Sequence, residues 1–220
     1  MRYILKTEGR LMQYTNLCRV YYYVFSRILR KNISVRFGKG FAKSLMKKSQ
    51  TEYKRLIART DSIGGKENPM SSNLYQGAVF VAHYKATDGK IPAKEMIKIA
   101  IYALSHSKIV KLATQNVNRQ SDKYRVWVHN TACWTQQNAD RYPMNWIMRE
   151  NPATSKKGTY YEYTRCALFE LCKAEGCPEI APMFCAMDHV TAHYGKSKLI
   201  RKGSLAQGAP YCDFCYVEME

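Results

Sequence analysis

The stretch YTRCALFELCKAEGCPEIAPMFCAMDHV, residues 163–190, decides the fold class that we predict for this chain. It continues an aromatic run, TYYEYTRC (residues 159–166), that is typical of a β-strand. The residues after this run predict a short helix that ends at Gly176 and a second short helix, broken by Pro182. The segment SKLIRKGSLA (residues 197–206) then resumes a strand-like alternation. A helical insert between strands is therefore expected.

Two further segments extend the strand pattern on either side of this stretch. RYPMNWIMRENP (residues 141–152) predicts a strand around Trp146 and Ile147, and YCDFCYVEM (residues 211–219) predicts a last strand. Helical patterns come earlier, as in FAKSLMKKSQTEYKRLIAR (residues 41–59), where apolar residues fall near one face. This order predicts an α+β fold, in which an N-terminal helical layer packs on a C-terminal, mainly antiparallel sheet with a short helical insert.

Positive charge is concentrated at the start of the chain. The formal net charge is +18, and residues 1–70 hold sixteen Lys and Arg against four Asp and Glu. We expect residues 1–40 to form a basic, aromatic-rich helical extension and residues 41–220 a single α+β domain, helical over 41–120 and sheet-rich over 140–220. The extension is suited to an anionic surface. No spacing typical of sequence-specific nucleic-acid recognition is present.

No uninterrupted apolar run of about 20 residues occurs, so no transmembrane segment is predicted. The nearest approach is residues 11–30, where Arg19 and Arg27 interrupt the apolar residues. A docked amphipathic helix and a membrane-surface helix both fit this pattern, and the docked helix is favoured. The segment lacks the small-residue cleavage site of a secretory signal, so we expect a cytoplasmic protein with reduced thiols.

Six of the eight cysteines lie between residues 166 and 215. Thiolates with imidazole are ligands for zinc, and four thiolates can hold an iron–sulfur cluster. Only Cys212 and Cys215 form a C-x-x-C pair, and strand alternation places Cys212 and Phe214 on one face and Asp213 and Cys215 on the other. We therefore predict no metal and no cofactor, although zinc and iron–sulfur are not excluded.

Three residues of the C-terminal half have side chains suited to chemistry on a small molecule. Cys185 and Asp188 are three residues apart, so both can lie on one side of a helix turn as thiol and proton acceptor. Arg201 lies in an apolar strand pattern, where an inward arginine needs an anionic partner. That partner is either a substrate carboxylate or a structural carboxylate, Asp188 or Asp213.

The C-terminal half resembles the L-2-amino-thiazoline-4-carboxylic acid hydrolase family. The resemblance is specific from residue 142 onward and weaker from residue 55, where the turn DSIGGKENP is similar to a family turn. The matching positions are Trp146, Tyr163, Cys166, Gly176, Pro182, Cys185, Asp188, Arg201, Ser204, Leu205, Ala206, Gly208, Cys212, Asp213 and Phe214.

The resemblance implies a hydrolase that opens a small cyclic amidine or thiazoline, at a C–N or C–S bond, toward carbamoyl-cysteine and L-cysteine. From side-chain chemistry we expect Cys185 or Cys212 to supply the thiol and Asp188 or Asp213 the acid–base group. Arg201 would hold the substrate carboxylate.

Trp146 and Phe214 are the two remaining residues of the predicted site; the resemblance supplies their positions, and we expect them to contact the substrate. Besides Glu162, which stands where the family often has aspartate, two positions depart from the family pattern. Arg165 stands where an acidic residue is expected, and Cys215 stands where an arginine is expected. A non-catalytic regulator that binds a small molecule or a metal, and a binder of anionic surfaces, are the alternative functions.

Overall fold

The computed structural model describes residues 11–155 and 157–219 of the chain. Within these ranges it contains eight α-helices and a four-stranded antiparallel sheet, which confirms the predicted α+β class with helices first and the sheet last. The elements are α1 (Asn16–Phe37), α2 (Lys39–Arg59), α3 (Ser71–Lys85), α4 (Ala93–Ser105), α5 (Lys108–Thr114), α6 (Asp122–Gln137), β1 (Ile147–Glu150), β2 (Gly158–Arg165), α7 (Ala167–Ala174), α8 (Pro182–Tyr194), β3 (Ser197–Ile200) and β4 (Cys212–Glu218).

Helix α1 packs against α2 and α3 along one face. Cys18, Tyr22, Leu29 and Ile33 recur at helical spacing and are buried, whereas the arginines between them are exposed. This burial confirms the prediction that the segment is a docked amphipathic helix. Residues 1–10 of the predicted basic extension lie outside the described residues.

The helical layer encloses a buried histidine. His83 of α3 is fully buried and its ring stacks on Tyr22, with ring centres 5.5 Å apart. Tyr22 in turn stacks on Tyr53 of α2 at 5.7 Å. The His83 Nδ1–H donates to the Val79 carbonyl at 2.7 Å, and no described residue bonds to its Nε2. Three helices thus meet at stacked rings around an imidazole.

The sheet has the strand order β1-β2-β4-β3, and all neighbouring strands are antiparallel. Tyr161 lies opposite Phe214, and Tyr163 lies opposite Cys212. Burial alternates along β4, since Cys212 and Phe214 are buried while Asp213 and Cys215 are partly exposed. The predicted alternation of this strand is confirmed.

The helical insert covers the sheet as expected, with one difference at Pro182. Helix α7 ends before Gly176, which adopts a left-handed backbone with φ of 67°. Pro182 does not break the second helix but begins it, because proline has no N–H to lose in the first helical turn. Helix α8 then packs against β3 and brings Cys185 and Asp188 to the sheet.

Candidate active site

An ion pair between α8 and the end of β3 forms the centre of the candidate site. The Arg201 guanidinium donates to Asp188 Oδ2, with a distance of 2.8 Å from Nη2. Only 5% of the Arg201 side chain is exposed, whereas 39% of the Asp188 side chain is exposed. The arginine is therefore the buried partner, and the carboxylate reaches toward solvent.

Three further contacts hold Arg201. Its Nη1 donates to the Cys185 carbonyl and its Nε to the Asp213 carbonyl, each at 3.3 Å. Its guanidinium carbon lies 3.9 Å from the centre of the Phe214 ring, which is cation–π distance. A guanidinium with this many protein partners is fixed in place. The sequence left two partners open for Arg201, a substrate carboxylate and a structural carboxylate. The geometry therefore favours the structural carboxylate.

Aromatic rings of β2 and β4 form a wall beside this pair. Tyr161 stacks on Phe214 with ring centres 4.8 Å apart, and Tyr163 meets Phe214 edge-on at 5.1 Å. Tyr124 of α6 extends the wall, because its hydroxyl lies 3.2 Å from the Tyr161 hydroxyl. Burial raises the pKa of Tyr216 on the same face, and the Asp188 carboxylate adds to this effect. The wall is thus uncharged and close to Asp188.

The protein covers part of Asp188, although 39% of its side chain is exposed. Desolvation by the surrounding protein raises the pKa of its carboxyl above the ordinary value, and the charge of Arg201 opposes this shift. Oδ2 is held by Arg201, while no described residue donates to Oδ1. One carboxylate oxygen therefore remains open to a ligand or a water molecule.

Three thiols lie near the pair, and burial keeps all of them protonated at neutral pH. Burial raises the pKa of Cys185, where a hydrogen bond to Ser204 opposes the shift. Burial raises the pKa of Cys212 to about 11 and that of Cys166 to about 12. The Cys212 Sγ also accepts the Leu205 N–H at 3.2 Å. These environments favour neutral thiols over thiolate nucleophiles.

Asp213 lies on the opposite face of β4 from Cys212 and Phe214. Its carboxylate accepts the backbone N–H of Lys202 at 2.8 Å and that of Gly203 at 2.8 Å. The side chain therefore closes the loop after β3, and this arrangement favours a structural role over the acid–base role predicted for it. Strand alternation already implied that Cys212 and Asp213 would not line the same cavity.

The two departures from the family pattern also lie away from the ion pair. Arg165 donates to the carbonyls of Asn145, Ala139 and Tyr142 at 2.7–3.1 Å, so it secures the loop before β1. Cys215 shares the face of Asp213. Neither departure therefore changes a group that surrounds Asp188.

Trp146 is buried directly before β1, at the other edge of the sheet from β3. Two strands separate it from Arg201, so its burial favours a core role over the substrate contact predicted for it. No three His, Cys, Asp or Glu side chains converge as metal ligands within residues 11–155 and 157–219. The residues around Asp188 thus offer one carboxylate and neutral thiols rather than a set of metal ligands.

Tyr124 and Arg119 are site residues that the sequence did not reveal. The Arg119 guanidinium carbon lies 4.9 Å from the centre of the Tyr216 ring, and Nη1 donates to the Thr191 carbonyl of α8 at 3.2 Å. Both residues reach the site from the segment around the start of α6, for which no element was predicted. The period-two spacing of Tyr161 and Tyr163 was the one available signal for the wall.

A second group of polar side chains lies on the surface of α6. The His129 Nδ1 is 3.0 Å from Glu150 Oε2, and its Nε2 is 3.8 Å from the Cys133 Sγ. Cys133 is exposed, as are His129 and Glu150. All three side chains of this group are exposed, whereas Arg201 is nearly buried and aromatic rings flank its pair with Asp188, so we place the candidate active site at Asp188.

One of three comparisons with known proteins found a match for this chain. The family model described as L-2-amino-thiazoline-4-carboxylic acid hydrolase matches residues 72–216, more than half of the chain. That range contains the whole candidate site. Searches of curated proteins and of solved structures found no match. The chain therefore belongs to the L-2-amino-thiazoline-4-carboxylic acid hydrolase family.

Proposed function

We propose that this protein hydrolyses a small cyclic amidine, with 2-amino-thiazoline-4-carboxylate as the first substrate to test. The observation that carries the proposal is the Asp188–Arg201 pair, in which one carboxylate oxygen is held and the other is open. The buried thiols and the aromatic wall beside it supply proton donors and a surface for a flat ring. The family name supports a hydrolase and a thiazoline substrate.

Asp188 is suited to act as the general base. Because the pKa of its carboxyl is raised, Asp188 takes up a proton more readily than an ordinary aspartate does. Arg201 is a positioning residue in this proposal, because its contacts orient Asp188 and leave it nearly unexposed. It therefore does not serve here as the clamp for the substrate carboxylate.

The proposed step begins with attack of water on ring carbon C2. Asp188 takes one proton of that water as the new C–O bond forms. The electron pair of the C2=N bond moves to the ring nitrogen, which takes the second proton of the water as the carbonyl forms. Breaking the C2–S bond then leaves the carbamoyl group on nitrogen, and the departing sulfur must gain a proton. We assign the neutral Cys185 thiol as the donor, and the proton held by Asp188 restores it. Breaking C2–N instead would leave the carbamoyl group on sulfur.

The two products differ in one measurable group, the free thiol. Incubation with 2-amino-thiazoline-4-carboxylate, followed by thiol titration and mass spectrometry, distinguishes cleavage at C–S from cleavage at C–N. Asp188→Asn should lower kcat about 100-fold or more, in the range typical of a lost general base. Cys185→Ala should lower it less than Asp188→Asn does, since water or another donor can protonate sulfur.

Asp122→Asn provides the matched control, because its side chain is 96% exposed on α6. It should leave kcat unchanged. Equal rates for the wild type, Asp188→Asn and a reaction without protein would contradict the proposal for this substrate. Saturable binding of the thiazoline without turnover would instead favour the non-catalytic regulator.

A further inference from the structure

A cavity of about 640 Å³ lies between α1 and α2, outside the residues that match the family model. The volume is typical of a small-molecule site. Tyr22 and Ser26 of α1 and Met46 of α2 line it. The Tyr22 hydroxyl donates to the Met46 carbonyl and lies 2.8 Å from the Ser49 Oγ, so the two helices are tied together beside the cavity.

Four cationic side chains line this cavity, and no acidic side chain does. Arg19, Arg27 and Arg30 are spaced by eight and three residues, which places them along one face of α1. Lys54 reaches the cavity from α2. None of the four forms an ion pair with another described residue. Within residues 11–155 and 157–219, no carboxylate therefore offsets the repulsion among them.

An unsatisfied polar atom lines the same cavity. Ser26 is 7% exposed, and its Oγ has no hydrogen-bond partner among the described residues. A buried hydroxyl without a partner costs about 1–3 kcal/mol, so such groups usually have a ligand or water to bond to. Tyr14 and Tyr23 add aromatic faces to the rim.

We propose that this cavity binds a small molecule that carries a phosphate group on a ring-containing body. Guanidinium groups match phosphate oxygens with paired N–H donors, and three of the four cations are arginines. The Ser26 hydroxyl completes the set of donors, and the tyrosine rings contact the ring of the ligand. The phosphate can belong to a free metabolite or to a lipid headgroup, and the experiment below separates these sources.

Adenosine monophosphate and inorganic phosphate are the soluble probes, and calorimetric titration of the full chain is the measurement. One site per chain is expected, with adenosine monophosphate bound more tightly than inorganic phosphate. The Arg27→Gln/Lys54→Gln double variant should weaken binding about tenfold or more, because charge-assisted hydrogen bonds to phosphate are lost. Arg27 and Lys54 are both exposed, so the double variant should still fold.

The Lys31→Gln/Arg55→Gln variant is the matched control. It removes one lysine and one arginine from the same two helices at exposed positions that do not line the cavity. It should change affinity by less than about twofold, since it alters only long-range charge. Equal weakening by the two double variants would overturn the proposal in favour of general attraction to anions.

Vesicles containing phosphatidylinositol, whose headgroup is a phosphate on a ring, compared with phosphatidylcholine alone, test the lipid source. The wild type can bind these vesicles without binding the soluble probes. If only the Arg27→Gln/Lys54→Gln variant then loses vesicle binding, the result supports the site with a lipid headgroup as its ligand. Absence of saturable binding to both soluble probes and vesicles overturns the proposal. Binding of single-stranded RNA that both double variants weaken equally also contradicts it.

Ser26→Ala tests whether the Ser26 hydroxyl contributes to binding, and it does so without changing the charge of the cavity. Removal of an unpartnered buried hydroxyl should leave the free energy of unfolding unchanged or raise it. Affinity for adenosine monophosphate should nevertheless fall about threefold or more, because the hydrogen bond from the hydroxyl to the phosphate is lost. Unchanged affinity in this variant would contradict the placement of the phosphate against Ser26.

Discussion

Arg201 holds Asp188 from one side only: its guanidinium donates to Oδ2 at 2.8 Å, and no described residue donates to Oδ1. The arginine is nearly buried while the carboxylate is partly exposed. The pair therefore orients the carboxylate without neutralising both of its oxygens. This arrangement differs from a structural ion pair in which both oxygens are saturated, and it leads to the first prediction.

Arg201→Lys should lower the free energy of unfolding by about 1–3 kcal/mol. A lysine keeps the positive charge, but its single nitrogen cannot contact Asp188 and the carbonyls of Cys185 and Asp213 together. Urea denaturation measures the change. Lys202→Gln is the control, because Lys202 contributes its backbone N–H to the loop, and it should change stability by less than about 0.5 kcal/mol. Equal stability of the two variants would contradict the fixed geometry of Arg201.

Stability should fall as the pH drops from about 6.5 to about 4, because of His83. Burial lowers the pKa of His83 to about 4, so the folded protein binds a proton less readily than the unfolded chain. The neutral His83 ring contributes on the order of 2–3 kcal/mol to the free energy of unfolding when the pH is above the pKa of histidine in the unfolded chain. This contribution is lost as the pH falls through the pKa of His83 in the folded protein. Urea midpoints measured across this pH range provide the test.

His83→Phe should remove most of this slope, since phenylalanine does not titrate and has a similar shape. His106→Gln, at an exposed histidine, should leave the slope as it is. The carboxyl of Asp188 acts in the opposite sense, because its raised pKa makes stability fall as the pH rises from 3.8. A slope that persists in His83→Phe would therefore point to groups other than this histidine.

Cys133 should be the first thiol to react with iodoacetamide in the native protein. It is the one exposed cysteine among the eight, all of which lie in the described part of the chain. Cys18 and Cys172 are buried and should react only after local or global opening. Their reaction should be at least about tenfold slower than that of Cys133. Peptide mapping by mass spectrometry after brief labelling measures the order. Preferential labelling of a buried cysteine would contradict the packing of its helix.

Leu29→Ala should lower the free energy of unfolding by about 2–5 kcal/mol, because Leu29 is fully buried where α1 packs on the other helices. The matched change on the exposed side of the same helix is Val20→Ala, which should cost less than about 0.5 kcal/mol. Thermal or urea denaturation gives both values. A neutral Leu29→Ala would mean that α1 is separable from the core.

The strands were predictable because each depends on local alternation. The two faces of β4 follow from the spacing of Cys212 and Phe214 against Asp213 and Cys215, and the structure has the same division. Helix α6 was not predicted, since its β-branched and aromatic residues weaken the helical pattern. The ring pairs of the wall were not predictable either, because they depend on which strands are neighbours.

The partner of Arg201 illustrates the same limit. An inward arginine implies an anion nearby, but Asp188 and Asp213 were equally available in the sequence. The outcome depends on the position of α8 over the sheet and on the loop after β3, where backbone N–H groups occupy the Asp213 carboxylate. Such long-range packing is not encoded in the spacing of any single segment.

That loop has a consequence for how the site assembles. Asp213 of β4 binds the amides of Lys202 and Gly203, and the preceding residue is Arg201. The strand pairing, the loop and the ion pair are therefore linked in one short hairpin, and none can separate without disturbing the others. The candidate site should accordingly be complete or absent in each molecule, so heating should abolish ligand binding and the β3–β4 pairing in the same transition.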